Sequence, residues 1–522
     1  MNIYAIDTED DSKGNVLLVN IYDGRVHHTF TELEPARKYL AGLDGICWAV
    51  NLEYDLINVF WGMLSELRLS YGKARIIKAV YNKLTFYDTL NHWKMSVNNM
   101  GEYLRLPKLK FNPHSVKYCQ RDTEIAYKFV ALMSENYKRL GIEPRSTISL
   151  TSFNLWKSMS RFKLKKIPDT KLLKFKQAYY GGRVECFYIG KQHGNIKYVD
   201  INSMYPFVML DDYPSPYKII QRYDIESEGI SHIRVRSRLK LPVLPYRRKD
   251  NKIIFPNGVF SGYWANNEIR FAVSKGVKII KVYDKDCFIF PLICRPFNDY
   301  IKRLYAERLN VKDELMKYTY KIFMNSLYGK FAQGNERSII ESVERFKKRK
   351  EYGRFKIFEN DKLVLHSVID KYPVHTNFVF SLYTTAKARI ILYELIDKIQ
   401  KSKGTVLYCD TDSVIYKDGI DLEFDTKLGG VKLEGDFKDI EIKTCKFYKL
   451  DKSVKIKGIP KLYQEMFFDK EAVTYKKPLK LKEAIRRDLR PNIWIDFTKV
   501  KVFNYDKGVI LKGGFVEPFI LK

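Results

Sequence analysis

Two acids separated by one residue stand inside Val406-Leu407-Tyr408-Cys409-Asp410-Thr411-Asp412-Ser413-Val414-Ile415. Apolar residues flank them on both sides, the pattern of two short strands joined by a tight turn. Carboxylates crowded at such a tip repel each other unless something positive joins them. A divalent cation with a phosphate behind it suits that chemistry. An ordinary solvated turn is the alternative. Asp200 ends another apolar run, Ile196 to Val199, and leads into Ile201-Asn202-Ser203-Met204-Tyr205-Pro206. On adjacent strands Asp200 and Asp412 would meet, and one or two divalent cations would relieve their repulsion. Two metals about 3.5–4 Å apart activate an attacking hydroxyl and stabilise a leaving pyrophosphate. Two unrelated turn aspartates are the competing reading. A third stretch, Lys321 to Lys330, sets Lys321, Asn325 and Tyr328 three or four apart, on one helix face. A lysine there reaches a triphosphate, and an aromatic ring one turn on covers a base pair. A core or solvated stripe is the plainer account of that face.

Strands and helices must position these residues, and the chain has the material for them. Its 522 residues are 45% hydrophobic and 14% aromatic, a globular composition rather than a disordered one. Lysine and arginine number 92 against 61 acids, a formal charge of +31. Such an excess repels itself unless a polyanion neutralises it, so nucleic acid leads as partner, ahead of a membrane surface. No apolar run approaches the ~20 residues of a membrane span. The first residues lack a basic region followed by an apolar block, so no secretory leader is expected. The seven cysteines are scattered without a Cys-x-x-Cys pair, which argues against zinc ribbons and disulfide frameworks and fits a reducing interior.

The apolar pattern predicts strands over Ile3 to Ile6 and Gly45 to Val50, each ending in polar or acidic residues, and a helix over Lys117 to Leu132. Thr147 to Tyr179 reads as helical and runs into the turn Tyr179-Tyr180-Gly181-Gly182. Residues 210–296 mix strands with Pro- and Gly-bearing turns. Phe297 to Tyr328 reads as two antiparallel helices with a break near Asn310. The charged stretch 336–372 reads as a hairpin-like insertion, and Phe378 to Ile399 as a helix beneath the Asp410-Thr411-Asp412 hairpin.

Asp-x-x-Ser-x-Tyr-Pro from Asp200, Lys-x-x-x-Asn-Ser-x-Tyr-Gly from Lys321 and Tyr-x-Asp-Thr-Asp-Ser from Tyr408, in this order, resemble motifs A, B and C of family B DNA polymerases. The resemblance implies a palm carrying motifs A and C and fingers carrying motif B. It casts Asp200 and Asp412 as metal ligands with the Ile201 carbonyl helping, and Asp410 as a secondary acid. Tyr205 falls where a ring packs on the incoming sugar and excludes a 2′-hydroxyl. Lys321 becomes the triphosphate ligand, with Asn325 and Tyr328 lining the nucleotide pocket. Arg308 is the choice for a second basic ligand, with Arg303 and Lys312 nearby.

The N-terminal acids gain meaning from that context. Asp7-Thr8-Glu9, Asn51-Leu52-Glu53-Tyr54-Asp55 and Tyr118-Cys119-Gln120-Arg121-Asp122 resemble the three motifs of a DEDDy 3′–5′ exonuclease. Asp7, Glu9, Asp55 and Asp122 would supply carboxylates to two metals, and Tyr118 would orient the attacking water. Asn51, Tyr54, Thr89 and Leu90 match positions that hold a single-stranded primer end, and Lys110 is a candidate to steady the scissile phosphate. Tyr179, Gly181 and Gly182 fit the Tyr-x-Gly-Gly linker that approaches the template. Lys446 and Tyr448 fit a Lys-x-Tyr motif at the primer strand.

The expected fold class is therefore α/β, or α+β multidomain: an RNase H-like DEDDy exonuclease domain plus a right-hand polymerase with palm, fingers, thumb and two insertions. The resemblance divides the chain into an exonuclease (1–150), linker and first palm segment (151–209), first insertion (210–296), fingers (297–335), second insertion (336–372), palm (373–465) and thumb (466–522). The placement of the insertions resembles the protein-primed subgroup of bacteriophages and linear plasmids. That implies processive, strand-displacing synthesis with a terminal protein as partner, beside primer-template DNA, single-stranded DNA and deoxynucleoside triphosphates. Mg2+ or Mn2+, two per site, is the expected cofactor, with no organic cofactor and no membrane, in a cytoplasmic monomer. A DNA-primed replicase or repair polymerase, and an inactive nucleic-acid-binding protein, are the alternatives. The intact set of acids disfavours the latter.

Overall fold

The computed structural model describes the chain apart from residues 1, 12–13, 73–74, 350–353, 359–361, 420–421, 471, 490 and 501–503. It comprises two compact units, each assembled from three stretches of sequence. The first joins Met1–Ser158, Gly334–Tyr372 and Thr474–Phe497, and the second joins Met159–Gln333, Pro373–Val473 and Thr498–Lys522. The mixed α/β multidomain architecture matches the expected fold class.

A ten-stranded sheet organises the first unit. Its order is Phe355–Phe358, Leu363–Ile369, Glu336–Ser342, Arg68–Tyr71, Ile76–Tyr81, Leu84–Asp88, Gly45–Ala49, Ile3–Asp10, Val16–Tyr22 and His27–Phe30. Ile3–Asp10 runs parallel to Gly45–Ala49, which runs parallel to Leu84–Asp88. Crossovers join such strands, and here the helix Leu52–Phe60 follows Gly45–Ala49 directly. The helix Val116–Arg139 packs on Ile3–Asp10 with Cys119, Asp122, Ala126 and Val130 buried. The stretch read as a hairpin-like insertion is indeed antiparallel. Its first strand also pairs with Arg68–Tyr71, Ile339 opposite Ser70, so it extends the N-terminal sheet. One apolar core accordingly mixes Leu56, Phe60 and Phe86 with Ile340, Leu363, Leu481 and Ile485.

The second unit is built around a seven-stranded antiparallel sheet in the order Ser453–Ile456, Phe447–Leu450, Val431–Thr444, Gly190–Ile201, Ser413–Lys417, Thr405–Asp410 and Val184–Cys186. The helix Phe378–Lys401 packs against Thr405–Asp410, as expected. Residues 210–296 form a separate sheet in which Gly229–Ser237 pairs with Asn257–Ala265. Its Ile233, Val235 and Trp264 share a core with Val199, Val414 and Leu392. The expected pair of helices appears as Asn298–Asn310 and Glu314–Phe331, and Asp313 caps the second by accepting from Met316 N. The stretch from Thr147 to Tyr179 is two helices, Ile148–Met159 and Asp169–Gln177. Pro168 sits at the N-cap of the second, because the backbone before a proline leaves the helical region. Among the described residues no helix is long and apolar enough to cross a membrane.

Candidate active sites

In the second unit Asp200 lies at the end of Gly190–Ile201, directly opposite Ser413. The Ile201 N–H donates to the Asp412 carbonyl oxygen at 2.8 Å. Asp410 and Ser413 close the hairpin, with Thr411 at φ +65, the left-handed conformation that two-residue hairpin turns demand. Burial, then the charges of Asp412 and Glu434, push the Asp200 carboxyl up to about 7. Burial, then Asp410, pushes Asp412 up to about 6. Lys321 opposes both shifts, so its ammonium acts on the two acids together. Among the described ion pairs none includes Asp200 or Asp412. Asp410 differs. The Lys446 ammonium holds it at 2.7 Å, and it accepts from Tyr408 Oη and Thr411 Oγ1 at 3.2 Å.

The remaining motif residues gather around this tip. Tyr205 and Tyr328 pack with ring centroids 4.3 Å apart. Arg308 donates to Ser203 Oγ at 3.3 Å, beside Tyr205, whereas Arg303 and Lys312 are exposed. Asn325 turns back to donate to the Lys321 carbonyl at 2.9 Å. Tyr448 is buried at 5% exposure, packed on Tyr408 with centroids 5.2 Å apart.

The glycine turn touches the hairpin directly. Thr411 N–H donates to Arg183 O at 2.7 Å, and a Cβ on Gly182 would lie 2.8 Å from Thr411 Cγ2. The turn's carbonyls face two arginines, with Arg247 bound to Tyr179 O and Arg389 to Tyr180 O and Gly181 O. Arg389 is in turn held bidentately by buried Glu268 at 2.7 and 2.8 Å. Removing one member of such a pair costs about 3–5 kcal/mol. Neither arginine was foreseen, because nothing near them in sequence marks them.

A second acid cluster occupies the first unit. Asp7 and Glu9 project from one face of Ile3–Asp10, Asp55 comes from Leu52–Phe60, and Tyr118 and Asp122 lie one turn apart on Val116–Arg139. Burial and then Asp55, Asp122 and Glu9 hold Asp7 well above the usual carboxylate range. Burial and then Asp122 raise Glu9 to about 7, and burial raises both Asp55 and Asp122. Asp55 accepts from Thr8 Oγ1 at 2.8 Å. Ligand atoms of Asp7, Glu9 and Cys119 lie within 4.8 Å of one another. Burial and the surrounding acids drive the Cys119 thiol far up, so it stays protonated and donates towards Asp7.

Lys108 completes this cluster. Its ammonium contacts Asp122 and sits 4.7 Å from the centre of the Tyr118 ring, whose hydroxyl burial pushes up to about 12. Lys110 is exposed. Asp88, also unforeseen, accepts from both Asn51 N at 3.1 Å and Leu90 N at 2.9 Å, tying together two residues of the expected strand-binding set. Asn51 is left-handed at φ +69, and Thr89 is fully buried. Tyr54 Oη donates to Asp10 at 2.5 Å.

Both clusters fit divalent metal. Hard oxygen ligands converge there, like charges raise each other's pKa, and the lysines present leave most of that negative charge unmatched.

Residues 68–400, more than half of the chain, match the family described as DNA polymerase type B, organellar and viral. The chain belongs to that family. A relative from Podospora anserina, described as a probable DNA polymerase, is 25% identical over 505 residues, covering 80% of this chain and 41% of that protein. The chain thus spans about two fifths of the length of this fungal relative. The DNA polymerase of Bacillus phage phi29 is 24% identical over 456 residues, covering 78% of this chain and 74% of its own. The solved phi29 polymerase, complexed with primer-template DNA and incoming nucleotide, superimposes with a TM-score of 0.74 over 96% of this chain and 99% of that one, at 17% identity.

Proposed function

We propose that the chain is a template-directed DNA polymerase with 3′–5′ exonuclease activity. The observation that carries the reading is the pairing that sets Asp200 beside the Asp412 turn, with both carboxyls raised and Lys321 acting on each. Asp200, Asp412 and the Ile201 carbonyl would hold divalent metal, Mg2+ or Mn2+, which when bound would supply charge that lowers the pKa of a primer hydroxyl and neutralises phosphate oxygens. Lys321 and Arg308 bind the triphosphate and stabilise the departing pyrophosphate. Asn325 and Tyr328 line the nucleotide pocket, and the Tyr205 ring excludes a 2′-hydroxyl. Asp410 orients Lys446 towards the primer end, and buried Tyr448 supports that strand edge. Tyr179, Gly181 and Gly182 approach the template.

In the second cluster Asp7, Glu9, Asp55 and Asp122 would hold a metal pair, and Tyr118 positions a water for attack on the terminal phosphodiester. Lys108 takes the phosphate-steadying part assigned from sequence to Lys110. Asn51, Tyr54, Thr89 and Leu90 grip the unpaired end. Residues 1–150 act as exonuclease, 151–209 and 373–465 as palm, 297–335 as fingers and 466–522 as thumb. The insertions 210–296 and 336–372 serve a terminal protein and processive strand displacement.

Primer extension on a nicked circle tests the reading. The parent protein with Mg2+ should extend past the nick, and Asp412→Ala should not. A parent that extends no primer would end the polymerase assignment. Priming is tested separately with a candidate terminal protein and labelled nucleotide, where a covalent nucleotide–protein adduct is the expected product.

A further inference from the structure

The first unit contains a cavity of 330 Å3 between the strands Glu336–Ser342, Phe355–Phe358 and Leu363–Ile369 and the helix Leu481–Arg487. Its lining is basic. Arg354 and Lys356 come from the strand side, Lys482 and Arg486 from the helix, and Glu336 is the acid among the lining residues. Lys356 is paired with Asp488 at 2.7 Å. Among the described residues Arg354, Lys482 and Arg486 have no ion pair. Lys482 reaches the hydroxyl of Ser338 at 2.8 Å, and burial together with the neighbouring Arg486 charge lowers its pKa. Like charges crowded from two elements into one half-enclosed space are repulsive until an anion enters.

The cleft is separate from the acid cluster of this unit. Five strand steps separate Glu336–Ser342 from Ile3–Asp10, which carries Asp7 and Glu9. At about 4.8 Å per step that is roughly 24 Å. Guanidinium forks matched to phosphate oxygens, an ammonium and a hydroxyl form a donor set for a phosphodiester.

We propose that this cleft binds a backbone phosphate of a nucleic-acid strand, an anchor remote from the nuclease acids, with Arg354, Lys482 and Arg486 as its ligands. The proposal rests on the reading of the chain as a DNA-handling protein. Once bound, the strand should tie the helix Leu481–Arg487 to the strands 336–369, since its phosphate is the counter-charge both sides lack.

The test uses the full chain in EDTA, so that no strand is cut, with a fluorescent twelve-nucleotide single strand titrated over a series of salt concentrations. The triple variant Arg354→Gln, Lys482→Gln, Arg486→Gln should bind about tenfold more weakly at low salt, and its log–log salt slope should be shallower by about 0.7, the value for one lost phosphate. Arg354→Gln alone, at an exposed position, should show part of both changes if the triple variant folds poorly, and Arg354→Lys should retain most of the affinity. Unchanged affinity and slope in the triple variant would overturn the proposal. So would a parent melting temperature that rises with inorganic phosphate alone, lost in the triple variant, while strand affinity stays equal, since the ligand would then be free phosphate. Primer extension by the parent is scored in parallel, so failure of the cleft is distinguished from failure of the polymerase reading.

Discussion

Ile201 and Asp412 are joined by a 2.8 Å hydrogen bond from the Ile201 N–H to the Asp412 carbonyl. The bond fastens the end of one strand to the turn of another and fixes their register. A slip of one residue would turn the Asp200 side chain to the opposite face of the sheet. Two short motifs are brought together through this backbone contact, which does not engage the Asp200 and Asp412 carboxyls.

Asp200→Asn and Asp412→Ala should each lower primer extension by about 1000-fold or more while leaving excision of single-stranded DNA at the parent rate. Asp7→Ala and Asp122→Ala should do the reverse. Timed gels with both substrates check the four variants. Parallel loss of both activities in any one of them would refute the assignment of the clusters to separate reactions.

Stability should depend on pH and metal together. The carboxyls of Asp200, Asp412 and Glu9 are raised to about 7, 6 and 7. A group raised in the folded state stabilises it below its unfolded pKa, and that contribution is lost as pH climbs through the folded value. In chelator the melting temperature should therefore fall between pH 5 and pH 8, and Asp200→Asn should flatten the decline. Mg2+ should raise the melting temperature more at pH 8 than at pH 5, because binding requires ionised ligands. Scanning calorimetry measures both effects.

Lys108→Ala should slow excision by about 10–100-fold, since partners of ligating carboxylates typically carry that much activity. Lys110→Ala should stay near the parent rate. Asp88→Ala releases the N–H groups of Asn51 and Leu90, so it should raise the KM for single-stranded DNA more than it lowers kcat. Steady-state kinetics on a short labelled strand separates the two quantities.

Gly182→Ala should impair extension, because its new Cβ would sit 2.8 Å from Thr411 Cγ2 and 2.9 Å from Oγ1. Removing those two atoms with Thr411→Ala should restore part of the loss, a coupling read from a double-mutant cycle of extension rates. Independent, additive losses would mean that the glycine acts elsewhere.

Tyr205→Val should relax discrimination against ribonucleotides, whereas Tyr205→Phe, which keeps the ring on Tyr328, should preserve it. The ratio of kcat/KM for deoxy- and ribonucleotides decides between them. An unchanged ratio in the valine variant would rule out the steric role of the ring.

The sequence by itself determined the elements and the acids at their ends. Side-chain spacing marks a strand that ends in Asp200, a helix face carrying Lys321 and Tyr328, and a helix break near Asn310, because periodicity and turn chemistry are local properties. Motif order was enough to name the family. Contacts between residues distant in the chain were decided only by tertiary structure. No local pattern records that the strand Glu336–Ser342 joins the sheet that holds Ile3–Asp10, since the pairing of Ile340 with Leu69 is a long-range register. Nor does the lysine-rich run near Tyr118 announce which ammonium meets Asp122: Lys108 does and Lys110 points to solvent, a choice made by the path of the chain before the helix Val116–Arg139. Asp88 and Arg389 likewise act by holding backbone atoms far away in sequence, and Glu268 by holding the Arg389 guanidinium; packing alone brings them there.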